Sequence, residues 1–131
     1  MAKEKKYLGI ISLGCDKNRV DSEKLLALIK DDYIITSDIE KAQVIVVNSC
    51  AFLESSRKEA IDTVMECNEY RKNGRLEKLI MSGCMPQRFI GEMFDELTEV
   101  DGFIGTFDYD LFNETVEECY KGKRVNNVGK G

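Results

Sequence analysis

One stretch of the chain, residues 42–52, constrains the fold more than any other. Its centre, Val44 to Val47, is an unbroken run of β-branched apolar residues that ends in the polar pair Asn48-Ser49. A strand without alternation between apolar and polar residues is typical of a parallel sheet that is covered on both faces. Cys50 follows directly, so the sequence predicts a cysteine just beyond the carboxyl end of a central strand. Open α/β sheets bind their ligands at that edge.

The same order of apolar run, small residue and cysteine occurs twice more. Residues 8–15 read LGIISLGC and end in Cys15, and residues 79–84 read LIMSGC and end in Cys84. If the three strands are parallel, their carboxyl ends lie at one edge of the sheet. The sequence therefore predicts that three thiols from distant parts of the chain converge there.

The rest of the chain alternates short apolar runs with helical apolar periodicity. We expect strands near residues 7–13, 33–36, 44–47, 76–81 and 100–104, a single turn capped by Asp38, and a long helix that ends at a left-handed Gly74. This pattern predicts an α/β, flavodoxin-like, doubly wound parallel five-stranded sheet with helices on both faces and strand order 2-1-3-4-5. Residues 1–122 would form this domain. Residues 123–131 are polar and glycine-bearing, and we expect them to be a linker.

Composition excludes several classes of protein. The chain has 131 residues, the size of one domain, and a net charge of −5, which argues against strong nucleic-acid binding by this domain. It has no apolar stretch long enough to span a membrane and no secretory signal. We therefore expect a cytoplasmic protein without a membrane partner.

The cysteine and histidine counts limit the possible chemistry. The chain has five cysteines and no histidine, which excludes Cys–His nucleophile pairs and mixed Cys/His zinc sites. An odd count in a chain of this kind favours free thiols or metal ligands over disulfides. Cys67 and Cys119 each lie three residues after an apolar helical residue, so we expect both to be buried core residues without a thiol partner.

Two chemical roles compete for the remaining thiols, Cys15, Cys50 and Cys84. A nucleophile activated by a helix N-terminus is possible in principle. However, the arginine of a phosphatase-type loop is missing, and one nucleophile would not explain three equivalent positions. As metal ligands, three thiolates fall short of a structural zinc shell. An iron–sulfur cubane is held by thiolates and can leave one iron without a protein ligand.

Three motifs in the chain match a known family. Residues 12–23 (SLGCDKNRVDSE), 48–52 (NSCAF) and 82–88 (SGCMPQR) resemble the N-terminal domain of radical S-adenosylmethionine methylthiotransferases. The first motif is more similar to the branch that modifies an aspartate of a ribosomal protein than to the branch that modifies a tRNA adenosine. Asp16 departs from the pattern, because that branch often has proline there. The resemblance covers almost the whole chain.

The resemblance implies an auxiliary 4Fe–4S cluster with Cys15, Cys50 and Cys84 as its ligands and one open iron that delivers sulfur. It also implies a radical domain in the same polypeptide, with S-adenosylmethionine and a second 4Fe–4S cluster, and a ribosomal protein as substrate. This sequence has no C-x3-C-x2-C motif, so we expect that domain to be absent from it and the fragment to be inactive alone. The alternatives are a domain that acts on a tRNA adenosine, a substrate-docking module without a working cluster, and a flavodoxin-like electron carrier. The last lacks a phosphate-binding loop after the first strand.

Overall fold

The structure is a computed structural model that describes residues 6–12, 23, 25–29, 32–49, 54–83, 91, 94–105 and 111–128. In these ranges six strands form one sheet, in which every pair of neighbours is parallel. The strands are β1 (Lys6–Ser12), β2 (Tyr33–Ile35), β3 (Val44–Ser49), β4 (Lys78–Gly83), β5 (Gly102–Ile104) and β6 (Val125–Asn127). Two helices have defined bounds, α1 (Glu54–Asn73) and α2 (Phe112–Tyr120), and residues 25–29 and 94–96 are also helical.

The strands lie in the order β2-β1-β3-β4-β5-β6. The predicted order 2-1-3-4-5 is therefore confirmed for the first five strands. β3 occupies the centre, with Val44 beside Leu8 of β1 and Lys78 of β4. A short 3-10 turn, Ile39–Lys41, precedes it, and Asp38 caps this turn by accepting a hydrogen bond from the Glu40 N–H, as predicted.

Both faces of the sheet are covered. On one face, Val44, Val46 and Ile80 belong to an apolar cluster that includes residues of α2 and of the helical segment 25–29. On the other, Ile45 and Val47 pack with residues of α1 and with Leu97. All four residues from Val44 to Val47 are fully buried. The doubly wound arrangement inferred from this unbroken apolar run is confirmed.

The prediction of five strands was one short, because β6 extends the sheet beyond β5. It lies in the stretch 123–131, where we expected a linker, and Gly102 of β5 is paired with Val125. The Val125 side chain is buried and its N–H donates to the Asp101 carbonyl. The side chain of the preceding residue, Arg124, donates hydrogen bonds to carbonyl groups within residues 94–100.

Arg124 holds β6 against the rest of the domain. Its Nη2 lies 2.7 Å from the Phe94 carbonyl oxygen and 3.0 Å from that of Leu97, and its Nε lies 3.3 Å from the Val100 carbonyl oxygen. The guanidinium also stacks 4.3 Å from the centroid of the Phe94 ring. A cation that satisfies carbonyls near the end of a helix is a favourable arrangement.

Several element ends differ from the sequence prediction. β3 continues through Asn48 and Ser49, which we had interpreted as the start of a turn. α1 ends at Asn73 as expected, but Gly74 does not adopt a left-handed conformation; among the described glycines, Gly122 has a positive φ, of 93°. None of the helices within the described ranges is long and apolar enough to cross a membrane.

An ion pair ties α1 to the amino ends of two strands. Arg71 Nη2 lies 2.6 Å from Asp101 Oδ2 and 2.7 Å from the Glu99 carbonyl oxygen. The same carboxylate oxygen accepts a hydrogen bond from the Leu79 N–H of β4 at 2.9 Å. This pair is largely shielded, with 30% of the Arg71 side chain and 17% of the Asp101 side chain exposed. It lies at the edge of the sheet opposite to the candidate site.

Candidate functional site

The carboxyl ends of β1, β3 and β4 lie side by side at one edge of the sheet. Ser12 is the register partner of Asn48, and Asn48 is the partner of Ser82. One residue further on, Ser49 is paired with Gly83, the last residue of β4. The three strands predicted to carry the thiols are therefore neighbours, and they are parallel.

The candidate cysteines follow these strand ends in sequence. Cys50 comes directly after Ser49, Cys84 directly after Gly83, and Cys15 three residues after Ser12. All three cysteines lie outside the described residues. The prediction that they converge stays a prediction, and the structure provides the alignment of the strands on which it depends.

A buried polar pair precedes two of these cysteines. Asn48 and Ser82 are fully buried, and Ser82 Oγ lies 3.4 Å from Asn48 Oδ1, a long hydrogen bond. The sequence pattern did not predict this pair, because Asn48 was interpreted as the start of a turn. The two-residue period of β3 could have found it, since Asn48 continues the face formed by Val44 and Val46.

The two helical cysteines behave as core residues, as predicted. Cys67 is 2% exposed and Cys119 is fully buried, and both are free thiols. Burial and the nearby Glu66 raise the pKa of the Cys67 thiol to about 11. Burial and the nearby Asp101 raise the pKa of the Cys119 thiol to about 12. Both thiols are therefore protonated at neutral pH, whereas metal ligation requires the thiolate.

The donor set of this edge fits an iron–sulfur cluster. In the described part of the chain, no group of three or more histidine, cysteine or acidic residues could hold a metal ion. The three cysteines predicted to be ligands, which follow β1, β3 and β4, lie outside that part of the chain, so their role stays a prediction. Thiolates without histidine are the usual ligands of iron–sulfur clusters, and the strands that carry these three end at a common edge.

Comparison with known proteins identifies the family. Residues 7–105 match the family model described as Uncharacterized protein family UPF0004. The chain belongs to this family. The matched residues extend from β1 to β5 and include the three candidate cysteines. The match ends before β6.

Curated proteins that are similar to this chain have names that state an activity. The chain is 48% identical over 124 residues to "Ribosomal protein uS12 methylthiotransferase RimO" of Acetivibrio thermocellus, an alignment that covers 94% of this chain and 27% of that protein. Proteins of the same name from Lachnoclostridium phytofermentans and Geobacter sulfurreducens are 43% and 44% identical over 118 and 119 residues, which cover 89% and 90% of this chain and 27% of each. The resemblance to ribosomal-protein methylthiotransferases is thus confirmed. The chain spans about a quarter of the length of these relatives.

Proposed function

We propose that this chain is the sulfur-donor domain of a methylthiotransferase that adds a methylthio group to an aspartate of ribosomal protein uS12. In this proposal Cys15, Cys50 and Cys84 bind an auxiliary 4Fe–4S cluster. The observation that carries it is the common edge at which β1, β3 and β4 end in register. The names of the relatives supply the reaction and the substrate.

Chain connectivity supports the ligand set. One peptide unit, about 3.8 Å between Cα atoms, separates Cys50 and Cys84 from the paired residues Ser49 and Gly83. The position of Cys15 is set less tightly, because three peptide units separate it from Ser12. In the proposal, the parallel strands would bring together donors that are 34 or more positions apart in the sequence. Such a site depends on the fold, because no short cysteine motif defines it.

The proposed roles of the residues follow from this arrangement. The three thiolates hold the cluster, and the strand ends fix the points from which their loops leave the sheet. A cluster bound in this way would leave one iron without a protein ligand, and this iron would provide a coordination site for sulfide or a methylthio group. The absence of histidine from the chain removes the commonest competing side-chain ligand.

The remaining parts of the enzyme lie outside this chain in the proposal. The relatives are nearly four times longer than the segment that they share with it. We assign to the rest of the polypeptide a radical domain with S-adenosylmethionine and a second 4Fe–4S cluster. This chain alone would bind its cluster and complete no reaction, and it would contribute no strong nucleic-acid binding. A ribosomal-protein substrate places the reaction in the cytoplasm.

Cluster reconstitution tests the proposal. The 131-residue chain, treated anaerobically with ferrous iron and sulfide, should take up about four iron and four sulfide ions per chain, the content of a cubane. Replacing Cys15, Cys50 or Cys84 by alanine should abolish or severely deplete the bound iron. The measurements are iron and sulfide analysis, together with the absorption spectrum.

The helical cysteines provide matched controls. Cys67→Ala and Cys119→Ala each remove a thiol of the same chain without touching the proposed ligand set, so both variants should retain the cluster. Loss of iron in either control, or full iron content in any of the three ligand variants, would show that the ligand set is wrong. A folded chain that takes up no iron would favour the substrate-docking alternative.

A further inference from the structure

The carboxyl edge of the sheet contains a fully buried polar pair. Asn48 and Ser82 are register partners on β3 and β4, and both are fully buried. The residues directly before them on the same face, Val46 and Ile80, are apolar and belong to the core. The polar pair therefore interrupts an apolar face where the two strands end.

The free-energy cost of burying polar groups makes the presence of Asn48 and Ser82 at these buried positions informative. Burying an amide or a hydroxyl costs about 1–3 kcal/mol unless it is hydrogen-bonded. Even when such groups are paired, apolar side chains of the same shape serve the stability of a core about equally well. Departures from local rules of this kind concentrate at functional sites. Asn48 and Ser82 therefore point to a role beyond sheet stability.

The position of the pair indicates that role. It lies one residue before the last register pair, Ser49 and Gly83, and two residues before Cys50 and Cys84. The backbone ladder sets the register of β3 and β4, and the directional contact between the Asn48 carboxamide and the Ser82 hydroxyl adds a side-chain constraint where that ladder ends. Apolar contacts on the same face are less directional and would constrain the relative position of the strands less well.

We propose that Asn48 and Ser82 are positioning residues that fix the carboxyl ends of β3 and β4 relative to each other, and thereby the points from which Cys50 and Cys84 leave the sheet. This inference rests on the proposed function, because it assigns the pair to the thiolate site. Groups that orient metal ligands typically change metal affinity by about 10–100-fold when they are removed. The pair should therefore determine how tightly iron is held.

Iron release from reconstituted variants tests this role. Asn48→Leu and Ser82→Ala in the 131-residue chain should lose iron to a chelator on the order of 10-fold faster than the unsubstituted chain. Their reduced clusters should also give an altered electron paramagnetic resonance spectrum. Ser82→Thr keeps the hydroxyl and should restore slow iron release. If Asn48→Leu does not fold, Ser82→Ala and Ser82→Thr still decide the question.

Thr115→Val is the matched control. Thr115 is also polar and fully buried, but its hydroxyl is hydrogen-bonded to the Leu111 carbonyl and to Asn127 of β6, which is two strands away from β4. Its substitution should lower the free energy of unfolding without changing iron release. The inference is overturned if the Asn48 and Ser82 variants lose iron no faster than Thr115→Val and keep the spectrum of the unsubstituted chain. In that case, iron uptake by the unsubstituted chain would still support the proposed function, whereas no uptake at all would overturn both proposals.

Discussion

Gly102, the first residue of β5, has no room for a side chain unless its neighbours move. A Cβ atom built there would lie 2.7 Å from Thr115 Cγ2, 3.0 Å from Ile80 Cδ1 and 3.1 Å from Cys119 Sγ. Contacts shorter than 3.0 Å essentially never occur for real Cβ atoms, so α2 must shift away from the sheet or the Thr115 side chain must rotate. The substitution Gly102→Ala therefore tests how closely α2 packs against β5.

Two opposing effects determine how much Gly102→Ala lowers the free energy of unfolding. Overpacking of a well-packed core destabilises a protein by about 1–3 kcal/mol. Because the φ angle of Gly102 is not positive, alanine also gains roughly 0.4–1 kcal/mol by restricting the unfolded chain. We expect a net loss of about 1–2 kcal/mol in the free energy of unfolding, measured by urea denaturation at neutral pH.

A second substitution identifies the contact responsible. Thr115→Ser removes Cγ2 but keeps Oγ1, which donates to the Leu111 carbonyl and accepts from Asn127 Nδ2, both at 2.8 Å. Alone, it should cost about 1 kcal/mol for the lost methyl group. The double variant should be about 1 kcal/mol more stable than the sum of the single effects predicts, because the closest clash is gone.

Gly91 provides the control for the general effect of replacing glycine. It is exposed in helical backbone, and no atom lies within 4 Å of the Cβ position. Gly91→Ala should therefore stabilise the protein by roughly 0.5–1 kcal/mol. The reasoning is refuted if Gly102→Ala is as stable as Gly91→Ala. It is equally refuted if the effects of Gly102→Ala and Thr115→Ser add within about 0.5 kcal/mol.

Three further substitutions probe the contacts around the sheet. Arg71→Met leaves the partly buried Asp101 carboxylate without its cation and should lower the free energy of unfolding by roughly 1–3 kcal/mol in urea denaturation. Arg124→Gln removes hydrogen bonds to the Phe94 and Leu97 carbonyls and should lower the free energy of unfolding by about 1–2 kcal/mol, a moderate loss because the side chain is partly exposed. It should also accelerate hydrogen exchange at the Val125 amide. Folding raises the pKa of the Cys119 thiol from about 9 to about 12. The contribution of the protonated thiol to the free energy of unfolding is therefore fully present below pH 9 and is lost as the pH rises toward 12. Cys119→Ala should reduce this loss of stability in denaturation curves at pH 8 and above, and an unchanged pH dependence would contradict the assignment.

The sequence was most informative where burial alone decides the structure. The run from Val44 to Val47 predicted a central strand covered on both faces, because only such a strand can bury every side chain. Alternation of strands and helices then restricted the topology to a few possibilities, since parallel crossovers are right-handed. The flavodoxin-like order 2-1-3-4-5 was the hypothesis chosen among these possibilities, and the structure confirms it for the first five strands.

The sequence was less informative where distant contacts decide the structure. β6 has three residues, of which only Val125 is buried, and it depends on carbonyls of residues 94–100 that bind Arg124. Asn48 and Ser49 have weak strand propensity, but pairing with β4, and for Asn48 also with β1, extends the strand through them. For the candidate site, the sequence predicted which strand ends meet. The thiols themselves lie outside the described residues, and pairing of neighbouring strands does not determine the conformation of the residues that follow them.

The strand order also has a consequence for folding during synthesis. Each new strand from β3 to β6 joins a free edge of the strands already present, so none has to be inserted between two paired strands. The sheet can therefore grow in the order in which the ribosome releases the chain. Until β4 emerges, however, one edge of the apolar strand β3 has no partner, and such edges are prone to pair with other chains. The nascent chain is therefore exposed to such pairing between the emergence of β3 and the emergence of β4 from the ribosome.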